Sequence, residues 1–382
     1  MEKYFAAALT SVDQIGVKRA SLLINHFGSA QAAWSAPEDE LLEVGLPDKV
    51  VQSLLSLRRK FPNMAEEIME RCAAKGIGVC WLDDDDYPEE LRAIDDAPLI
   101  IYYKGQIQPS ATRISIVGTR EITNYGQKAT LEIAEDLARA GITIVSGGAI
   151  GIDTYAHRGA LNGGRTIAVL GCGIEVYPSY NAKLFDRIIE NGALVSEYPP
   201  RLPAAPGLFP RRNRIIAGLS KAVVVVEAGT KSGALYTAKF ALEYNRTLFA
   251  VPGSIFAERS QGCNALIKNG ALLARDADDI LKACNIDAPI ETSIKTPSIE
   301  KPIVEPIERP SRKLRAEPQL EGDEAFVYAL LEETPLDLDG LLMRADDSSE
   351  RTLTPQELSN ILLTLELKGL VMTDEHGSYS RR

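Results

Sequence analysis

Short runs of uninterrupted apolar residues alternate with helix-period segments through the middle of the chain. Residues 114–117, 142–145, 166–170, 193–196, 222–226 and 247–251 are apolar at successive rather than alternate positions. Strands of that kind are buried on both faces, as in a parallel sheet with covering helices. Between them, apolar positions recur at helical spacing over 125–140, 152–161, 182–190, 213–219, 234–244 and 264–268. This alternation predicts an α/β fold with a Rossmann-like, doubly wound parallel sheet.

The flanks follow different patterns. Residues 1–62 read as short helices. VDQIGVKRA followed by SLLINHFGS has the look of a helix-hairpin-helix or SAM-like module, with a weaker second copy over 41–50. Such a module either contacts DNA, through Lys18 and Arg19 at the first turn, or serves only to pack. Residues 63–112 supply a helix (64–74) and two strands (78–82 and 98–103) that lead into an extended central domain, 63–285. Prolines spaced among Glu, Lys, Ser and Thr make 286–320 a flexible linker. Helical periodicity returns over 321–382. Thr354, Pro355 and Glu357 open a third helix, and a two-stranded wing follows, predicting a winged helix. That helix carries Glu357, Glu366 and Lys368, which favours a protein-interaction role over DNA reading.

Composition narrows the classes. The 382 residues carry a net charge of -11, which argues against a broadly basic surface but leaves room for a local basic cleft. Five cysteines without CxxC spacing and three histidines point away from zinc or a disulfide framework, and toward a reducing cytoplasm. No signal peptide or membrane-spanning run is expected.

Positive charge is concentrated in one place. The stretch FPRRNRIIAGLSKAVVVVEAGTKSGALYTA, 209–238, holds Arg211, Arg212, Asn213 and Arg214, then a strand, then a polar loop opening a helix. In an open parallel sheet ligands bind beyond the carboxyl ends of the strands. Those ends carry Gly118, Thr119 and Arg120, then Ser146, Gly147 and Gly148, and then Lys231, Ser232 and Gly233. Glycines admit a close backbone approach, and hydroxyls, amides and cations suit phosphate oxygens. A phosphate-rich ligand is therefore expected. Neither GxxxxGK[ST] nor a GxGxxG after the first strand is present, so an NTPase loop and a dinucleotide fingerprint are both missing. Asp153 reads as a loop brace or helix cap and His157 as structural. With no nucleophile–base pair, metal cluster or cofactor signature, the pattern favours binding over catalysis.

The ordered motifs ISIVGTR, SGGAIGIDTYAHRGAL, AVLGCGIEVYPSYNAKL, SEYPP, FPRRNRIIAGLSKAVVVVEAGTKSGALYTAKFALE, FAVPGSIF and QGCNALIKNGA closely resemble the DNA-processing protein A (DprA, or Smf) family over about 80–285. The resemblance implies a cytoplasmic protein that binds and protects single-stranded DNA and loads the RecA recombinase onto it in natural transformation and recombination. It also implies a homodimer that displaces or bypasses single-strand-binding protein, with no catalytic activity. Carried over by motif, Arg120, Ser146–Gly148, the Phe209–Arg214 cluster and Lys231–Gly233 would line the DNA groove, with Phe209 or Tyr198 stacking on a base. Asn264, Leu266 and Ile267 are the expected neighbourhood for dimer or RecA contact. The chain is also similar to the Lonely Guy nucleotide phosphoribohydrolases. Matching Gly233 to their PGGxGTxxE motif, however, puts Thr237 where the catalytic Glu belongs.

Overall fold

The computed structural model describes residues 1–177, 181–286, 320, 322–331, 338–347, 354–368, 370–373 and 379–381. Residues 287–319, which make up almost all of the expected linker, lie outside them. The chain divides into two units, Met1–Lys295 and Thr296–Arg382.

The first unit opens with α1 (Glu2–Thr10), α2 (Val17–Phe27), α3 (Ala30–Ser35), α4 (Glu38–Glu43) and α5 (Asp48–Lys60). Gly16 precedes α2 in an extended conformation, and Gly28 ends it at φ +81°, a left-handed stop that suits glycine. Leu9, Leu23, Leu41 and Leu54 of these helices share one core with Cys72 of α6 (Met64–Ala74) and with residues of the sheet such as Tyr102.

The sheet has nine strands: β1 (Gly78–Trp81), β2 (Ile100–Gly105), β3 (Arg113–Val117), β4 (Thr143–Ser146), β5 (Thr166–Val169), β6 (Gly192–Ser196), β7 (Ala222–Val225), β8 (Thr247–Ala250) and β9 (Leu272–Leu273). Their order is β1-β2-β6-β5-β4-β3-β7-β8-β9. β3 to β9 pair in parallel, whereas β2 pairs antiparallel to both β6 and β1. The parallel sheet expected from the strands from residue 113 onward is thus present in β3 to β9, and the two preceding strands extend it with antiparallel pairs into a mixed, mostly parallel sheet. Between β1 and β2 lies only the one-turn α7 (Glu89–Arg92), not a crossover helix that would return the chain for parallel pairing.

Helices cover both faces. Ile114, Ile116, Val224 and Phe249 pack under α8 (Asn124–Arg139), α9 (Ile152–Gly163) and the later α14 (Ala277–Ala283). Residues pointing the other way, including Val117, Val145, Val223 and Val225, pack under α11 (Leu208–Gly218), α12 (Ala234–Glu243) and α13 (Gln261–Lys268). α10 (Ala182–Asn191) precedes β6 and adds Phe185 to the N-terminal core. The chain builds outward from β3 through β4, β5 and β6, then crosses back to β7 on the other side of β3. The loops leaving β3 and β7 therefore diverge and open a crevice between them.

α11 starts at Leu208, five residues before the expected start at Asn213. Pro210 falls in its first turn, where a missing N–H costs no intrahelical bond. The arginines are consequently helical and radiate from the axis instead of forming a loop.

In the second unit, α15 (Asp323–Leu330), α16 (Leu338–Asp347) and α17 (Pro355–Leu367) precede the antiparallel pair β10 (Val371–Thr373) and β11 (Tyr379–Arg381). Val327, Leu341, Leu358, Leu362 and Val371 form its core. Thr354 and Glu357 make a reciprocal capping box with Pro355 in the first turn of α17. This is the expected winged-helix arrangement. Lys368, the one cation noted for the third helix, is paired with Glu324.

Candidate nucleic-acid interface

A cleft of about 1170 Å³ lies at the carboxyl ends of β3 and β7. Gly118, Thr119 and Arg120 form one wall, Thr230 to Gly233 a second, and Phe209 and Asn213 of α11 a third. The first wall is held rigidly. The Thr119 amide donates to Glu227 O at 2.7 Å, and the Ile152 amide to Thr119 O at 3.1 Å. A Cβ at Gly118 would lie 2.4 Å from Ile152. Gly151 holds φ +86° with its back to Thr119 O, where a Cβ would lie at 2.3 Å. Glu227 turns its carboxylate away to the start of α8, accepting from the Thr123 amide (3.0 Å) and hydroxyl (2.6 Å). Gly126 provides the space for it.

Donors and cations converge on the cleft. Among the described residues, the amides of Arg120, Thr230, Lys231 and Gly233 donate to no protein acceptor. The last three lead into α12, whose N-terminus has no side-chain cap. Unpaired amides at a helix start beside Lys231 and Arg120 suit an anion. Asn213 ties the loop to α11 by donating to Gly233 O at 3.5 Å.

Phe209 adds a flat apolar element. Its ring rests on the backbone at Gly171, where a Cβ would lie 2.7 Å from the ring. The Arg120 guanidinium stands over the ring, 5.9 Å from its centroid. A cation and an aromatic face side by side match both parts of a nucleotide.

Other expected site residues lie elsewhere. Ser146, Gly147 and Gly148 are buried and are absent from the cleft lining. The Ser146 hydroxyl donates to Ile116 O (2.7 Å), and Asp153 accepts from the amides of Gly147 (3.1 Å) and Ala149 (3.4 Å). These loop amides are therefore taken by an internal carboxylate. Burial pushes that carboxyl above its ordinary range, while Arg212 and the amides pull against the shift. Asp153 is the loop brace expected from the sequence. His157 is likewise structural: it is buried, its Nδ1 meets the Thr166 hydroxyl at 2.7 Å, and burial drives its imidazole down to about 3.

The arginine cluster divides by helical phase. Arg212 touches the cleft lining, but its guanidinium is buried and donates to Gly147 O (2.6 Å) and Val169 O. Arg214 is buried against Glu197, with Asp96 at 3.6 Å. Arg211 is exposed and lines a second, smaller cleft with Lys18 and Arg19. Tyr198 is buried, its hydroxyl on Leu208 O at 3.2 Å, so it presents no face for stacking. Leu266 and Ile267 are half-buried against the core rather than exposed, and Asn264 exchanges hydrogen bonds with Gly253. The exposed leucines nearby are Leu272 and Leu273 of β9.

The lining also includes residues that the sequence pattern does not single out, among them Glu121, Glu258, Tyr236 and Arg259. Tyr236 is the exposed neighbour of buried Thr237, and only the phase of α12 distinguishes them. Arg259 pairs with Glu121 at 2.9 Å across the cleft mouth. Thr237 lines the wall, so the position matched to the hydrolase acid presents a hydroxyl.

Comparison with known proteins agrees with this architecture. Residues 78–285 match the family model of DNA recombination-mediator protein A, and residues 311–375 that of the DprA winged helix domain. Protein Smf of Synechocystis is 34% identical over 408 residues, spanning 100% of this chain and 99% of that protein. The solved structure of DNA processing protein A from Streptococcus pneumoniae is 32% identical with a TM-score of 0.63, covering 74% of this chain and 98% of that one. DNA processing protein A from Helicobacter pylori, whose structure is described for its single-stranded DNA binding mode, is 30% identical with a TM-score of 0.50. It covers 56% of this chain and 97% of its own.

Proposed function

The chain belongs to the DNA recombination-mediator protein A family, also called DprA or Smf, and from that premise we propose that its switch-point cleft binds single-stranded DNA. The observation that carries this reading is the meeting of unpaired amides, Arg120, Lys231 and the Phe209 ring in one cleft. Amides and cations take phosphates and the ring takes a base, which gives strand binding with little sequence preference. A duplex would hide its base faces from Phe209, so single strands are preferred.

The cellular role follows the family: protection of single-stranded DNA and loading of RecA onto it, against single-strand-binding protein, during transformation and recombination. The neighbourhood of α13 and β9 is assigned to the homodimer. Its support is an edge strand with two exposed leucines. Binding rather than turnover is supported by the hydroxyl of Thr237 where a hydrolase of similar fold needs an acid. The winged helix is assigned to a protein partner.

The test is an oligothymidine titration over a salt series, with and without Arg120→Ala. Tight binding that weakens with salt and with the substitution is expected. Equal or tighter binding to duplex overturns the reading. Release of base from nucleoside monophosphates would favour the hydrolase instead.

A further inference from the structure

α11 separates two clefts. Phe209, Arg212 and Asn213 face the one at the switch point. Arg211 and Arg214 face a cleft of about 470 Å³, closed on its far side by Gly16, Lys18 and Arg19 at the start of α2. The fold thus brings the hairpin turn of the N-terminal helices against the arginine helix.

The charges in this seam do not cancel. Its one carboxylate, Asp96, is engaged by Arg214 at 3.6 Å and by the Tyr244 hydroxyl at 2.6 Å. Arg214 is also bound to Glu197. Arg19 holds the turn by donating to Gln14 O at 2.7 Å. Lys18 and Arg211 are exposed and form no salt bridge among the described residues. On a chain of net charge -11, Lys18, Arg19 and Arg211, from two distant segments, share this cleft beyond the ion-paired Arg214, with an aromatic residue, Phe240, whose ring stacks on Tyr244 (5.9 Å, 18°).

We infer that the seam is a second contact site for the same single strand, with Lys18, Arg19 and Arg211 holding its phosphates where it leaves the first cleft over α11. The inference rests on the strand-binding reading of that first cleft. Cations beside an aromatic residue are the same combination found there. A helix diameter of ~10 Å separates the two, about three nucleotides at ~3.4 Å each. The N-terminal helices then lengthen the binding track rather than binding DNA independently.

The test uses the full chain with Lys18→Gln and Arg211→Gln together. Both side chains are exposed, and Arg19 stays to hold the turn. Labelled oligothymidines of about 5 and about 20 nucleotides are titrated by fluorescence anisotropy over a salt series. For the long strand, affinity is expected to fall about tenfold and the log–log salt slope to shrink by about 1.4, two phosphates' worth. The short strand, which fills only the first cleft, should bind within about twofold of the unaltered chain. Arg120→Ala should weaken both lengths. An unchanged long-strand affinity, or equal losses at both lengths, overturns the seam and leaves the first cleft standing. Failure of the unaltered chain to bind either strand overturns both readings.

Discussion

The Arg120 guanidinium stands over the ring of Phe209, 5.9 Å from its centroid, although the two residues come from different elements and different walls of the cleft. On the proposed reading an incoming base would meet a guanidinium plane beside an aromatic ring, and both are stacking surfaces. Arg120→Ala and Phe209→Ala should each weaken oligothymidine binding. The ring change should cost about 1–3 kcal/mol. Their effects should fall short of additive by about 0.5–1 kcal/mol, since each removes part of the same platform. A double-mutant cycle on strand affinity measures this. Strict additivity would mean that the two act on separate nucleotides.

Gly151 is the support on which the Arg120 loop rests. At φ +86°, with Thr119 O only 2.3 Å from where a Cβ would sit, alanine is both strained and too large. Gly151→Ala should destabilise the fold by about 2 kcal/mol or more and weaken strand binding through displacement of Arg120. Chemical denaturation and anisotropy on the same sample check the two effects. A variant of normal stability and affinity would show that the loop adjusts freely.

Arg212 and Arg120 should behave oppositely. Arg212→Met leaves the Gly147 and Val169 carbonyls without their donor and Asp153 buried beside no cation, costing about 3 kcal/mol of stability. Arg120→Met should leave the melting temperature nearly unchanged and lower strand affinity. Thermal melts paired with binding curves separate a structural arginine from one that meets the ligand.

His157 ties stability to pH. Its imidazole titrates near 6.5 in the unfolded chain, and burial depresses it to about 3 in the folded one. Between those values the unfolded state holds the extra proton, so stability falls as pH falls, by up to about 1.4 kcal/mol per pH unit. Stability is at its full value above about pH 6.5. His157→Asn should flatten the decline between about pH 6.5 and 5, above the range where most carboxylates titrate. Urea midpoints across that window measure the slope.

The winged helix should be dispensable for DNA binding. Lys368, the cation expected on its third helix, is spent on Glu324. A chain ending before residue 321 should hold oligothymidine within about twofold of the full chain, because α17 offers a major groove almost nothing to bind with. Loss of binding on truncation would move the DNA contact into the second unit.

The strands were legible because burial on both faces leaves an unmistakable apolar run, as at 222–226, and α17 because Thr354, Pro355 and Glu357 form a local cap. Direction was not legible. Arg211, Arg212 and Arg214 look alike as letters, and their fates depend on where α11 begins and on carbonyls and carboxylates far along the chain, at Gly147, Val169 and Glu197. The Ser146–Gly148 loop has the composition of a phosphate cradle. Asp153, a few residues on in the same motif, removes it from that role by accepting from the Gly147 and Ala149 amides, so the brace was legible and the loss of the cradle was not. Tyr236 and Arg259 were passed over because each gains meaning only from the elements it faces.

That carboxylate has a wider consequence. In Asp153 the protein carries its own acceptor group, fixed covalently against the one loop that most resembles a nucleotide cradle. On the strand-binding reading proposed above, a free mononucleotide would find the Gly147 and Ala149 amides already taken, and only the rim would be left to hold it. A chain that bound in this way would tell polymer from monomer by length, and free mononucleotides should compete poorly with oligothymidine for it.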